Sequence, residues 1–143
     1  MRHRAAVACR WTGRSLLASS FLVGGVSALR NPGHLPQAVE RLGVPRGRMA
    51  TNATASAMLA GAVALATGAA PVAGTVVLGV CLMGATAAVH PFWTEDDEGR
   101  RAAHRNAFLT NLSLLGALGV TAVDALQQRG RPGAGPRKRG SGG

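Results

Sequence analysis

The sequence predicts an all-α membrane protein built as a bundle of four transmembrane helices, and three observations lead to it. From Met49 to Thr94 run 46 residues without Asp, Glu, Lys or Arg, interrupted near the middle by Gly68-Ala69-Ala70-Pro71. Two further uncharged segments, Ser15 to Leu29 and Asn106 to Val123, lie on either side of that run. Charged residues make up only 15% of the 143-residue chain against 47% hydrophobic residues, and they gather in clusters at the ends of the apolar segments. A chain this small has no means of keeping two successive helices without a charged face soluble.

The first segment, Ser15 to Leu29, is bounded by Arg14 and Arg30. Its fifteen residues as a helix cover about 22 Å, short of the roughly 30 Å hydrocarbon core. Snorkelling of the two arginines and Trp11 as an interfacial anchor supply the remainder. A cleaved signal peptide is the alternative for this end, because Met1 to Arg14 is basic and Val26-Ser27-Ala28 resembles a small-residue cleavage site.

The long uncharged run is too long for one span. Gly68-Ala69-Ala70-Pro71 is a break, and Pro71 suits the first turn of a following helix. A helical hairpin over roughly 50 to 67 and 71 to 90 follows. Gly61, Gly74, Gly79 and Gly84 are read as structural, allowing close backbone approach between spans.

Between spans three and four, Thr94-Glu95-Asp96-Asp97-Glu98 precedes Arg100, Arg101 and Arg105. Acids before bases complement a helix dipole, so a short interfacial helix is expected here, capped by Thr94 with Asp97 at the reciprocal position. The fourth span, Asn106 to Val123, has eighteen residues and ends at Asp124. Residues 127–143, rich in Gly, Pro and Arg, are expected to be disordered. The domain organisation is thus a basic cytoplasmic N-terminus at 1–14, a four-helix transmembrane domain at 15–126 and a disordered basic tail at 127–143.

The net charge of +10 comes from 16 basic residues, nearly all Arg. These flank apolar segments, where guanidinium groups meet lipid phosphates, so no nucleic-acid partner is expected. Nine basic residues fall in the two tails and seven in the two large loops, a weak positive-inside bias toward cytoplasmic termini with loops 30 to 49 and 91 to 106 outside. Cys9 and Cys81 belong to no metal-ligand or disulfide pattern, and Cys81 reads as a small buried hydrophobe.

No Ser/His/Asp set, phosphate loop, HExxH or paired carboxylates at catalytic spacing are present in the sequence, so independent catalysis is not expected and no metal site is assigned. What remains are polar residues near span ends: Asn31, His34, Asn52, His90, Arg105 and Asn111. Asn111 stands more than one turn inside span four, where an amide serves either an interhelical hydrogen bond or a ligand. His90, followed by Pro91-Phe92-Trp93, is either a helix stop with an aromatic anchor or a redox or ligand group.

Several of these blocks resemble actinobacterial DoxX-like proteins. Val89-His90-Pro91-Phe92-Trp93, the acidic run Glu95 to Glu98, and Phe108 to Gly116 (FLTNLSLLG) are similar to the third and fourth helices of that family. Phe21-Leu22-Val23-Gly24-Gly25 with Ala28-Leu29-Arg30-Asn31-Pro32 looks like its opening motif, and Asn52 like its Asn at the start of helix two. The likeness extends over roughly residues 14 to 126. Thr110 stands where the family often has Lys and Ala117 where a second Gly often follows Gly116, so no role of that lysine carries over. The resemblance implies a four-helix fold in the plasma membrane with both termini cytoplasmic, and an association with quinone-linked sulfur oxidation or thiol and peroxide-stress complexes.

Three functions therefore compete. The first is a non-catalytic membrane subunit or scaffold that docks a redox partner protein through the loop from His90 to Arg105. The second is a quinone-reactive oxidoreductase component in which His90, Trp93, Arg105 and Asn111 surround the head group, quinone being the one cofactor any reading calls for. The third is a secreted or nucleic-acid-associated basic protein, supported only by the arginines. The bilayer is the one partner common to the first two, and homo-oligomer formation is compatible with both. Membrane integration is tested by alkaline carbonate extraction: the protein is expected in the pellet, and release into the supernatant overturns the four-helix reading.

Overall fold

The computed structural model describes residues 2–89 and 96–130, and among them all regular structure is helical. Five helices follow one another: α1 (Arg2–Arg30), α2 (Leu35–Arg41), α3 (Gly47–Thr67), α4 (Pro71–Val89) and α5 (Glu98–Gly130). By length and composition, α3 and α5 are long and apolar enough to cross a membrane, and α4 holds a somewhat shorter apolar stretch.

The hairpin of α3 and α4 follows from its punctuation. Gly68 closes α3 in the left-handed region at φ +70°, its N–H donating to the Leu65 carbonyl, a geometry that favours glycine. Pro71 opens α4, where its missing N–H costs nothing and its fixed φ suits the first turn. The two helices then approach closely: a Cβ on Gly74 would stand 2.8 Å from the Gly61 carbonyl oxygen and 3.2 Å from the Leu65 amide nitrogen. Gly61 in turn faces the Leu78 side chain. Of the other two glycines expected in this role, Gly79 sits at ordinary contact from Leu115 and Gly84 faces open space.

Helix α3 is the hub, packing on α1, α2 and α4, while α4 carries α5 on its other side and α1 meets α5 only sparsely. Leu17, Ala18 and Phe21 of α1, Ala62 and Leu65 of α3, Leu78 and Leu82 of α4, and Leu118 of α5 form the core. Their mutual burial needs small residues on the facing surfaces, and Gly25 supplies one, since a Cβ there would stand 3.0 Å from Leu59 and 3.2 Å from the Ala55 carbonyl.

Three expectations need correction. The charged stretch after Asp97 and the fourth span form one unbroken helix, because between Gly99 and Gly116 no Gly or Pro stands to interrupt it. Its cap is Asp97, whose Oδ1 accepts from the Arg100 N–H at 2.8 Å; Thr94 lies outside the described residues. The tail expected to be disordered from residue 127 is helical through Gly130, with 131–143 outside the described residues; the basic N-terminal stretch, for which the sequence sets no expectation of secondary structure either way, continues α1 back to Arg2. The fourth difference is an addition: α2 fills the connection between α1 and α3, with Pro36 in its first turn. Gly43 and Arg46, both at positive φ, turn the chain from α2 into α3.

Placing a methyl group against a fixed backbone oxygen forces the helices apart. Gly74→Ala is expected to cost about 1–3 kcal/mol and to lower the thermal midpoint in detergent. Gly116→Ala, with nothing within 4 Å of its Cβ, is expected to be neutral or to stabilise by up to about 1 kcal/mol. Equal effects of the two would contradict the close α3–α4 approach.

Candidate functional site

Of the four residues singled out for a partner or ligand, two can be placed. Asn111 projects from α5 toward α4 and donates from Nδ2 to Thr86 Oγ1 at 2.9 Å. That hydroxyl donates in turn to the Leu82 carbonyl at 2.6 Å, so the amide is anchored by a short polar chain inside an apolar contact. Arg105 lies on α5 six residues earlier, about 9 Å along the axis and about 120° around it. It is exposed, beside a shallow depression it shares with Glu98, Gly99, Arg101 and Ala102. Asn111 and Arg105 are therefore not brought to one focus. His90 and Trp93 lie outside the described residues.

The remaining polar residues at the span ends scatter. Asn31 and His34 are exposed around the turn into α2, and His34 makes no side-chain cap there. Asn52 is exposed on α3, beside a surface depression with Glu40, Arg46 and Arg48. Glu40 itself is used structurally: its Oε1 accepts from the Gly47 N–H at 2.9 Å and so caps α3 from α2. A Cβ on Gly47 would collide with the Pro36 carbonyl oxygen, which makes glycine obligatory at this contact.

At the opposite end of the bundle stands an ionic cluster that reading the chain segment by segment did not find. Asp124 of α5 takes Arg10 Nε on Oδ1 at 3.1 Å and Arg14 Nη2 on Oδ2 at 3.5 Å. Gln128, one turn on, donates to the same Oδ2 at 2.6 Å. Arg14 is the better sheltered arginine, its side chain 13% exposed, and its Nε is buried without a hydrogen-bond partner. A signal was available: Arg14 bounds the first apolar segment and Asp124 the last, and four long helices running alternately in opposite directions bring those two boundaries to one end of the bundle.

A third feature lies under α2. Thr51, only 6% exposed, has a hydroxyl with no hydrogen-bond partner, and it lines an apolar cavity of about 340 Å³ between α2, α3 and α4. Cys81 lines the same cavity and makes a long contact, 3.8 Å, to the Thr54 carbonyl. Among the described residues no group of three or more His, Cys, Asp or Glu could hold a metal ion.

Among the described residues the chain is all-helical, its core is made mostly of small residues and Leu, two helices are of membrane length, and most hydroxyls inside the helices bond a carbonyl of their own helix, which together mark a small integral membrane protein. Within that class the chain belongs to the DoxX family, whose match runs over residues 10–91, more than half of its length. That match runs from Arg10 within α1 through the end of α4 and stops before Trp93, so the likeness of Phe108 to Gly116 stands outside it. No curated protein and no solved structure matches the chain.

The Asp124 cluster generates a measurable coupling. Exposed pairs contribute about 0–1 kcal/mol and loss of one partner of a buried pair costs about 3–5 kcal/mol. Lying between those limits, Asp124→Ala is expected to cost about 1–2 kcal/mol. A double-mutant cycle with Arg14→Ala in thermal unfolding should show positive coupling, larger than the cycle with the more exposed Arg10→Ala. Additivity in both cycles would mean that the cluster does not hold α1 to α5.

Proposed function

We propose that the chain crosses the plasma membrane four times, with both termini cytoplasmic, and acts as a non-catalytic subunit that docks a redox partner protein through the segment from His90 to Arg105. The domain division that goes with this is a basic cytoplasmic end at 1–14, a membrane domain at 15–126 and a basic tail beyond it. Exposed Val23 on α1, Val76, Val80 and Met83 on α4, and Leu112 and Val120 on α5 support lipid contact around the bundle. At the ends of the short apolar stretch of α1, Arg30 is exposed and reaches the interface by snorkelling, while Arg14 is held by Asp124.

The observation that carries the docking role is the length of α5. Its 33 residues extend about 50 Å against a hydrocarbon core of about 30 Å. The apolar part, 106 to 123, accounts for about 27 Å, so the first two turns stand clear of the core with Arg100, Arg101 and Arg105 exposed. Asp97 caps this projecting end. A span connection has no need of an ordered, charged helical extension, whereas a docking surface does. The engagement of Asn111 by Thr86 favours this role over a quinone site, because it gives the amide a structural partner.

Co-purification in mild detergent tests the docking role. His90→Ala and Arg105→Ala are expected to leave expression and membrane insertion intact while sharply lowering recovery of the partner. Asn111→Leu removes an interhelical hydrogen bond, and a loss of about 0.6 kcal/mol of stability is expected with partner recovery unchanged. If all three substitutions destabilise the protein in parallel and affect recovery alike, the docking role is overturned.

A further inference from the structure

The cavity beneath α2 is not used by the docking role, and its chemistry is specific. At about 340 Å³ it lies within the roughly 300–1,000 Å³ of small-molecule sites. Its wall is apolar except for Thr51, Thr54 and the thiol of Cys81, and Thr51 is the buried one of the two threonines. Thr51 is more than nine-tenths buried and its hydroxyl is unpartnered, a loss that native structures rarely leave uncompensated. Most other threonine hydroxyls in the helices find a carbonyl of their own helix, as Thr67, Thr75, Thr86, Thr110 and Thr121 do.

From this buried hydroxyl and apolar cavity we infer that the space under α2 holds one acyl chain of an anionic glycerophospholipid, whose ester carbonyl accepts a hydrogen bond from Thr51 once that side chain turns its enclosed hydroxyl toward the cavity.

Three placements support the assignment. Leu42, Val44 and Val80 line the cavity and are also exposed, so it opens through an apolar rim of the kind a lipid chain crosses and a soluble polar ligand does not. Thr51 stands four residues inside α3, about 6 Å along its axis from Gly47. That depth corresponds to the boundary between head groups and acyl chains, the level of the ester carbonyls. Arg46 and Arg48, exposed just before this point, stand at the level of the lipid phosphate, and guanidinium groups are suited to it. The inference rests on the membrane reading but not on the docking role, and carbonate extraction tests that reading separately.

The full chain is reconstituted in phosphatidylcholine vesicles containing a phosphatidylglycerol with an alkyl diazirine in one acyl chain, irradiated, and its adducts mapped by mass spectrometry. Adducts are expected to concentrate on Val39, Met58 and Cys81, over outward-facing Val76 and Val120. Gly84 lines the cavity with nothing within 4 Å of its Cβ, so Gly84→Leu is expected to fill the space and abolish those adducts. Gly116→Leu, at an equally open position on α5, is expected to leave them unchanged. Thr51→Val should reduce them about three- to tenfold, the equivalent of one hydrogen bond. Three results overturn the proposal: adducts spread evenly over cavity and outward residues, Thr51→Val raising thermal stability with labelling unchanged, or cavity labelling by a diazirine fatty acid but not by the phospholipid.

Discussion

The backbone contact between α3 and α4 is the constraint on which the rest of the bundle depends. With Gly74 against the carbonyl of Gly61, the two helices sit close enough for Leu65, Leu78 and Leu82 to share one core with Leu17 and Phe21 of α1. A bilayer gives no hydrophobic drive for helices to associate, so close van der Waals contact and a few polar bonds must supply it. Both are found where they are most effective: small residues at the α3–α4 and α1–α3 contacts, and the bond from Asn111 to Thr86 between α4 and α5. Because α1 and α5 touch so little, their seam relies on Leu118 in the core and on the arginines that meet Asp124.

The two ends of the bundle are built differently. One is closed by ion pairs, with a carboxylate of α5 shared between two arginines of α1 and a glutamine of its own helix. The other is closed by a backbone fit, in which α2 lies over α3, Glu40 caps Gly47 and the Pro36 carbonyl excludes any side chain there. The first arrangement leaves Arg14 half-satisfied and the second leaves Thr51 wholly unsatisfied.

Local signals in the sequence made part of this legible and distance hid the rest. Gly68 and Pro71 placed the hairpin to within a few residues, because a left-handed cap and a helix-starting proline act on their own neighbours. The start of α5 was misread: acids followed by bases describe any helix start, and only the missing breaker before Gly116 shows that the helix does not stop. Helix α2 was passed over although Asn31-Pro32-Gly33 and Pro36 mark a turn and a helix start, because seven residues carry too little periodicity to count. The Asp124 cluster needed residues more than a hundred positions apart to be set side by side, which requires the topology first. Asn111 was legible as a buried amide, but its partner Thr86 was one threonine among many until the helices were packed.

The unbroken course of α5 has a mechanical consequence. A continuous rod of this length, held along one flank by α4 and tied near its far end to α1 through Asp124, behaves as a lever with its fulcrum on α4. A load on its arginine-bearing end, such as a bound protein, is delivered as torque to the salt-bridged end of the bundle, with no break in the helix in between to absorb it.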